Sequence, residues 1–255
     1  MRHVMLGAYW NETCISFGEF ATNIKKTLST LREFDSTFSH FCHIAKGKDA
    51  THLIAEDFSN LSEILRESSS ADDKIFSVVD ENNMISDHAT SKLGFREIFN
   101  TSRKLKDGGI NISFCDGKHG EFSSSNLFLI NFPDTRKADR HVLYLMQTKL
   151  KDLALLSISM FKPRSLRSGD QDFAYKISEE DITAINWLTY LSHLPPEQVP
   201  AKSELLGMGI SWEAVPQGGT LFMLDQEMVS ADNPEHVARG KLLRARLMEH
   251  GWIEN

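Results

Sequence analysis

The pattern of hydrophobic and polar residues is clearest in the middle of the chain, at residues 108–133. Apolar and polar side chains alternate along residues 110–115, which is typical of a strand with one buried face. Residues 116–120 contain two glycines and suit a turn. Residues 127–130 are apolar, and Pro133 ends this run because proline has no N–H to donate. The pattern predicts a β-hairpin.

The amino-terminal pattern predicts a short strand, residues 3–10, followed by a long helix. Ser16 and Glu19 have the spacing of a capping box, in which each side chain bonds the backbone N–H of the other residue. Apolar residues then recur at helical spacing along one stripe: Phe17, Phe20, Ala21, Ile24, Leu28 and Leu31.

Further along the chain, the pattern predicts helix, strand and loop in turn. Residues 135–152 have apolar side chains at helical spacing, and Asp134 is a candidate N-cap. Residues 155–161 are largely apolar, and we interpret them as a buried strand. Residues 162–172 are interpreted as a polar loop.

The carboxy-terminal third combines an ambiguous stretch, a hairpin and a helix. Residues 182–194 fit both helical and strand periodicity, and three prolines within residues 195–200 favour an extended linker. Residues 210–224 predict a second hairpin. Asn233 and Pro234 have the N-cap and first-position chemistry of a helix start. The predicted buried stripe of this helix is Val237, Ala238, Leu242, Ala245 and Met248, with Arg239, Arg244 and Arg246 facing outward.

Together these elements predict an α+β fold in which helices pack against a largely antiparallel sheet. The chain has 255 residues, of which 41% are hydrophobic and 25% charged, so it can bury a substantial core. We expect residues 1–255 to form a single domain.

Cysteine content and hydropathy favour the cytoplasm. Three cysteines are too few and too scattered for a disulfide framework. No apolar run reaches the length of a membrane span, and the first ten residues lack the apolar core of a secretion signal.

Charge is unevenly distributed along the chain, whose net charge is −7. Residues 101–170 carry 12 basic and 7 acidic side chains, whereas residues 171–235 carry 2 basic and 11 acidic ones. An acidic excess argues against a nucleic-acid binder and is compatible with a basic protein partner. Acidic loops that only keep the protein in solution are the alternative explanation.

Catalytic signals are weak. His40, Cys42 and His43 lie close together but fit no standard zinc spacing, so we expect no metal and no cofactor. There is no glycine-flanked nucleophilic serine. Asp134 with neighbouring acids leaves open a metal-dependent hydrolase or nuclease, although it is more simply a helix cap.

Four motifs resemble bacterial polymorphic-toxin immunity proteins of the immunity protein 52 family. They are Gly7-Ala8-Tyr9-Trp10, Asn186-Trp187-Leu188-Thr189-Tyr190-Leu191-Ser192, Gly218-Gly219-Thr220-Leu221 and Asp232-Asn233-Pro234-Glu235-His236-Val237-Ala238. Asn186 stands where the family commonly has glycine, and so does Asn11. We expect the motif residues to be mainly structural.

The resemblance implies a non-enzymatic antitoxin. Its partner would be a cognate toxin with a restriction-endonuclease-like DNase domain, delivered by a contact-dependent or type VI secretion system. We expect no nucleic acid, membrane or small-molecule substrate as a partner. Because a nuclease holds DNA on a basic surface, acidic residues are the candidate toxin-binding residues. These are Asp170, Asp172, Glu179, Glu180, Asp181, Asp225, Glu227 and Asp232. Acids at residues 72–81 are a rival segment.

Overall fold

The computed structural model describes residues 3–11, 13–44, 51–69, 85–91, 93–102, 109–118, 126–178 and 185–253. These residues contain ten strands and seven α-helices. The strands are β1 Val4–Trp10, β2 Cys42–Ile44, β3 Thr51–Leu53, β4 Leu93–Asn100, β5 Asn111–Lys118, β6 Asn126–Asn131, β7 Ser165–Asp170, β8 Leu188–Leu191, β9 Ser211–Ala214 and β10 Thr220–Met223. The helices are α1 Phe17–Phe34, α2 Leu61–Ser69, α3 Arg140–Tyr144, α4 Leu150–Phe161, α5 Gln171–Ile177, α6 Lys202–Gly207 and α7 Pro234–Glu249.

The chain divides into two compact units. The central unit is Trp10–Pro133, and the terminal unit combines Met1–Tyr9 with Asp134–Asn255. Antiparallel strand pairs and packed helices occur in both, so the predicted α+β class is confirmed. The single-domain organisation stays a prediction.

The central unit is built on the strand order β3-β2-β4-β5-β6. Helix α1 starts at the predicted capping box, because the Ser16 side chain accepts the N–H of Glu19 while Glu19 accepts the N–H of Ser16. Its stripe is buried, and Phe17 and Phe20 place their rings 5.6 and 5.3 Å from the ring of Phe95 on β4. The apolar period of the sequence therefore fixes which face of α1 meets the sheet.

The central hairpin is confirmed in its strands and corrected in its extent. Strands β5 and β6 pair in antiparallel register, with Ile112 opposite Ile130 and Phe114 opposite Phe128. Strand β5 continues to Lys118 through residues 116–118, which the sequence assigned to the turn, because they pair with β4. The remaining predicted turn residues lie outside the described part of the chain.

The terminal unit has the strand order β1-β7-β8-β10-β9. Strand β1 pairs with β7 from Val4 opposite Asp170 to Tyr9 opposite Ser165. The predicted carboxy-terminal hairpin is confirmed as β9 and β10. The ambiguous stretch at residues 182–194 contains strand β8, and the predicted extended linker instead contains a 3₁₀ turn, Pro196–Gln198.

Residues 155–161 form the end of α4, so the prediction of a strand there is wrong. Leu153, Ala154, Ser157 and Ile158 are buried at helical spacing. A short apolar run does not by itself distinguish a buried strand from a buried helix. The helix boundary before it also differs, because α3 starts at Arg140 and its N-cap is Asp139, not Asp134.

The prediction of a polar loop over residues 162–172 is also wrong for most of its length, because residues 165–172 form β7 and the start of α5. Two of their polar side chains are hydrogen-bonded within the fold. The Ser168 hydroxyl donates to the Met5 carbonyl oxygen at 3.0 Å, and the Asp170 carboxylate accepts the N–H of Asp172 at 3.0 Å. Polar residues are thus buried here because they are hydrogen-bonded.

Helix α7 begins at the predicted residue but buries a different stripe. The Asn233 side chain accepts the N–H of Glu235 at 3.0 Å, which confirms the N-cap. Its buried residues are Gly240, Leu243 and Leu247, and the predicted stripe is exposed or half-buried. Arg239 does not face outward freely, because its guanidinium pairs with Asp225.

None of the helices within the described ranges is both long and apolar enough to cross a membrane.

Candidate functional site

The Trp187 motif, the Gly218 motif and residues 7–9 of the first motif lie on or beside strands of the terminal unit. Strand β8 carries the Trp187 motif and pairs with β10, which follows Gly218 and Gly219, so that Leu191 lies opposite Thr220. Gly7 lies on β1, opposite Arg167 of β7. Because β7 also pairs with β8, the strands that carry these motifs are hydrogen-bonded in the order β1-β7-β8-β10.

Trp187 and Tyr190 belong to the buried core of the terminal unit. Their exposed fractions are 5% and 1%. The Trp187 indole N–H donates to the carbonyl oxygen of Asp225 at 2.9 Å, and the Tyr190 hydroxyl donates to that of Gly218 at 2.8 Å. Burial raises the pKa of Tyr190, so the phenol stays protonated and remains a donor.

Gly218 and Gly219 make the turn between β9 and β10. Their φ angles are +95° and +79°, in the left-handed region that glycine adopts without strain. A Cβ at Gly219 would also lie 2.4 Å from the carbonyl oxygen of Leu191, whereas one at Gly218 would meet open space. The second glycine is therefore required by both conformation and space.

Tyr9 and Trp10 each receive or give a specific bond within their own unit. In the terminal unit, Arg167 donates its Nε–H to the Tyr9 hydroxyl at 3.2 Å and places its guanidinium 5.1 Å from the ring centroid. In the central unit, the Trp10 indole N–H donates to Asp116 at 3.2 Å. Thr13 donates to the same carboxylate oxygen at 2.7 Å. Asp116 is a structural hub that the sequence did not reveal.

Asp225 braces the end of β10 against α7. Its carboxylate pairs with Arg239, and the Nε2 atom of His236 lies 3.6 Å away. His236 accepts the N–H of Ser230 on Nδ1 at 3.0 Å, which leaves Nε2 as the protonated nitrogen facing Asp225. Partial burial opposes ionisation, but the N–H of Glu227 and the Arg239 guanidinium lower the pKa of Asp225.

The candidate toxin-binding acids occupy different environments. Asp170 is 2% exposed and caps α5, and Asp225 pairs with Arg239. Both carboxylates therefore already have partners within the protein. Asp172, Glu227 and Asp232 are exposed. Glu179, Glu180 and Asp181 lie outside the described residues. The contact of these acids with a partner stays a prediction.

Three exposed acids lie on two segments that contact each other. Asp172 is on α5, and Glu227 and Asp232 are on the segment that leads into α7. The Lys176 ammonium of α5 donates to the carbonyl oxygen of Ala231 at 3.0 Å and so links the two segments. We call Asp172, Tyr175, Lys176, Glu227 and Asp232 the α5 surface.

Tyr175 is the residue of this surface that sequence reasoning missed. It is 71% exposed, between the buried residues Phe173, Ala174 and Ile177. The apolar residues Phe173, Ala174 and Ile177 have helical spacing and were the available signal, but the preceding residues were interpreted as a loop.

Asp134 is bound by a cation of the protein itself. Arg136 donates to its carboxylate from Nη2 at 2.8 Å and from the backbone N–H at 3.0 Å. These bonds lower the pKa of Asp134 to about 2. Among the described residues, no group of three His, Cys, Asp or Glu side chains is placed to hold a metal ion.

The side chains of His40, Cys42 and His43 lie in different environments. His40 is exposed, and Cys42 is buried on β2. The His43 Nε2 atom lies 2.5 Å from a carboxylate oxygen of Glu97, whose other oxygen accepts the Ser68 hydroxyl at 2.9 Å. This buried group joins β2, β4 and α2.

Comparisons with known proteins give a family and a fold. The family model described as Immunity protein 52 matches residues 4–255. Among curated proteins, none has a sequence that matches this chain. Among solved structures, the chain is similar to the Pseudomonas aeruginosa T6SS protein PA0821, with a TM-score of 0.51 and 10% identity, over 96% of this chain and 72% of that one. At this identity the likeness concerns the fold alone.

Proposed function

The chain belongs to the immunity protein 52 family, and we propose that it protects the cytoplasm of the producing bacterium by binding a cognate secreted toxin. The observation that carries this proposal is the family match, which spans residues 4–255. We propose further that the toxin has a restriction-endonuclease-like DNase domain, delivered in competition between bacteria by a contact-dependent or type VI secretion system. The protein acts by occupancy, without chemistry of its own.

The α5 surface supports an electrostatic mode of binding. Asp172, Glu227 and Asp232 are exposed, and the one cation of the surface, Lys176, is bonded to a backbone carbonyl. A DNase needs a basic surface for DNA, so the acids can face it and increase the rate of encounter. Glu179, Glu180 and Asp181 follow α5 in the sequence and belong to the same proposal.

Binding kinetics test this proposal directly. A cognate toxin domain is immobilised in a form inactivated at its catalytic residues, and association is measured at low and high salt. In the triple variant Asp172→Asn, Glu227→Gln, Asp232→Asn, we expect association to slow about tenfold at low salt and to lose most of its salt dependence. Dissociation changes little, because charges at the edge of an interface mainly affect association.

A matched control removes the same charge elsewhere. Glu33, Asp152 and Glu197 are exposed acids outside the α5 surface, so Glu33→Gln, Asp152→Asn, Glu197→Gln gives an equal net charge. An association rate that falls equally in both triple variants reflects net charge alone and sinks the α5 surface as the steering site. The same measurement on Glu179→Gln, Glu180→Gln, Asp181→Asn, and on the acids of residues 72–81, compares the rival segments.

Two further assays address inhibition and catalysis. The purified protein, added in increasing amounts to the active toxin domain, should abolish DNA cleavage at about one equivalent. Alone, with Mg²⁺, Mn²⁺ or Zn²⁺, it should turn over neither DNA nor phosphate esters. Turnover that disappears in Asp134→Ala would replace the proposal with a metal-dependent hydrolase.

A further inference from the structure

We propose that Tyr175 is the aromatic anchor of the α5 surface and packs against cationic side chains on the DNA-binding face of the toxin; this inference rests on the proposed function. The acids of the surface then determine the rate of encounter, and the tyrosine determines how long the complex lasts.

The exposure of Tyr175 is the first observation. Its exposed fraction of 71% exceeds that of every other large hydrophobic side chain in the described ranges; the next are Leu206 at 60% and Tyr144 at 58%. Single exposed apolar residues are common and mean little alone. Tyr175 has a further feature: exposed Asp172 lies three residues before it, and the adjacent Lys176 bonds the segment that carries exposed Glu227 and Asp232.

The second observation is how α5 is capped and packed. Asp170, itself buried, caps the helix by accepting the N–H of Asp172, and Phe173 and Ile177 are buried beneath it. Helix α7 approaches closely at Gly240, where a Cβ would lie 2.7 Å from the Ile177 side chain. The backbone that carries Tyr175 is therefore held by the Asp170 cap and by the packing of Phe173 and Ile177 against α7. A tyrosine has only two side-chain torsions to fix, so a partner can order it at low entropic cost.

The charges around the ring give the chemistry of the partner. Asp172 precedes Tyr175 by three residues and is its neighbour on the exposed side of α5. The Lys176 ammonium is engaged by the Ala231 carbonyl, next to Asp232, and does not compete for the ring. An aromatic face beside carboxylates favours guanidinium and ammonium groups through cation–π attraction. The phenol can also donate to a carbonyl or bridge through water.

Anchor and edge residues affect different rate constants. Truncating an aromatic side chain at the centre of an interface removes contacts that exist only in the formed complex, so it increases dissociation. Neutralising an exposed acid weakens long-range attraction and reduces association. Substitution of Tyr175 should therefore change mainly the dissociation rate, and substitution of its acidic neighbours mainly the association rate.

The experiment uses the full chain and the inactivated toxin domain, with Tyr144→Ala as the matched control because Tyr144 is an exposed tyrosine of the same unit. Tyr175→Ala should raise the dissociation rate at least ~10-fold and change the association rate less than about twofold. Tyr175→Phe, which keeps the ring, should recover most of the loss, and Tyr144→Ala should behave as wild type.

The outcomes separate this inference from the proposed function. Melting curves of Tyr175→Ala should match wild type, since the side chain is exposed. If wild type binds and Tyr175→Ala dissociates no faster, or Tyr144→Ala dissociates equally fast, the anchor is overturned while the proposed function stands. If wild type does not bind the toxin domain at micromolar concentration, the proposed function fails and the anchor fails with it.

Discussion

The hydroxyl of Tyr190 donates a hydrogen bond to the carbonyl oxygen of Gly218, 2.8 Å away. The two residues are 28 positions apart and belong to two of the four motifs on which the resemblance in sequence was based. The ring is fully buried while Gly218 is exposed, so the bond ties the core of the terminal unit to a surface turn. The motifs that contain Tyr190 and Gly218 are thus in direct contact through this hydrogen bond.

Replacing Tyr190 with phenylalanine tests this contact. Tyr190→Phe keeps the buried ring and removes only the hydroxyl, so we expect a loss of about 1 kcal/mol of stability. Urea unfolding of the variant measures it, with Tyr144→Phe, at an exposed position, as the control. Equal stability of Tyr190→Phe and wild type would show that the bond contributes nothing net.

The two glycines of the same turn should respond differently to alanine. Gly218→Ala meets open space and pays only for its positive φ, about 1–2 kcal/mol. Gly219→Ala adds a clash with the Leu191 carbonyl and should cost clearly more, with loss of folded yield. Unfolding midpoints of the pair provide the comparison. A Gly219→Ala protein as stable as Gly218→Ala contradicts the steric argument.

Trp187 should behave as a core residue. Its side chain is 5% exposed and its indole is bonded to Asp225, so Trp187→Ala should lower the free energy of unfolding by about 3–5 kcal/mol and reduce folded yield. Denaturant unfolding together with toxin binding checks this. A Trp187→Ala protein that is fully stable but no longer binds toxin places the residue in the interface instead.

The Asp134–Arg136 pair should contribute to stability in a defined pH range. Because the folded-state pKa of Asp134 is lowered to about 2 from 3.8, its stabilisation is complete above 3.8 and is lost as the pH falls through 2. A carboxyl ¹³C NMR titration should give a midpoint near 2 in wild type and a higher one in Arg136→Ala. Arg140→Ala, which removes an exposed arginine nearby, should leave it unchanged. A low midpoint in Arg136→Ala rules out the pair as its cause.

Local signals in the sequence were sufficient for several elements. The capping box of Ser16 and Glu19 starts α1, and Asn233 with Pro234 starts α7, because these residues satisfy N–H groups that any helix start leaves free. Alternation and a glycine turn likewise predicted the hairpin of β9 and β10. Each signal operates within a few residues, so no tertiary context is needed to interpret it.

The wrong predictions arise where the partner is distant in the sequence. Residues 155–161 are apolar enough for either state, and burial against the rest of the unit decides for α4. The residues of β7 look like a loop, but Ser168 finds its partner at Met5, 163 residues away. The buried face of α7 differs from the predicted one because Gly240 allows close packing against α5 and Arg239 pairs with Asp225.

The candidate site divides in the same way. The sequence by itself determined the family motifs and the acidic excess of residues 171–235, since both can be counted along the chain. Only the tertiary structure decided which acids remain free for a partner, because Asp170 and Asp225 found bonds inside the fold while Asp172, Glu227 and Asp232 stayed exposed. Exposure depends on what the folded chain places beside a side chain, which composition does not encode.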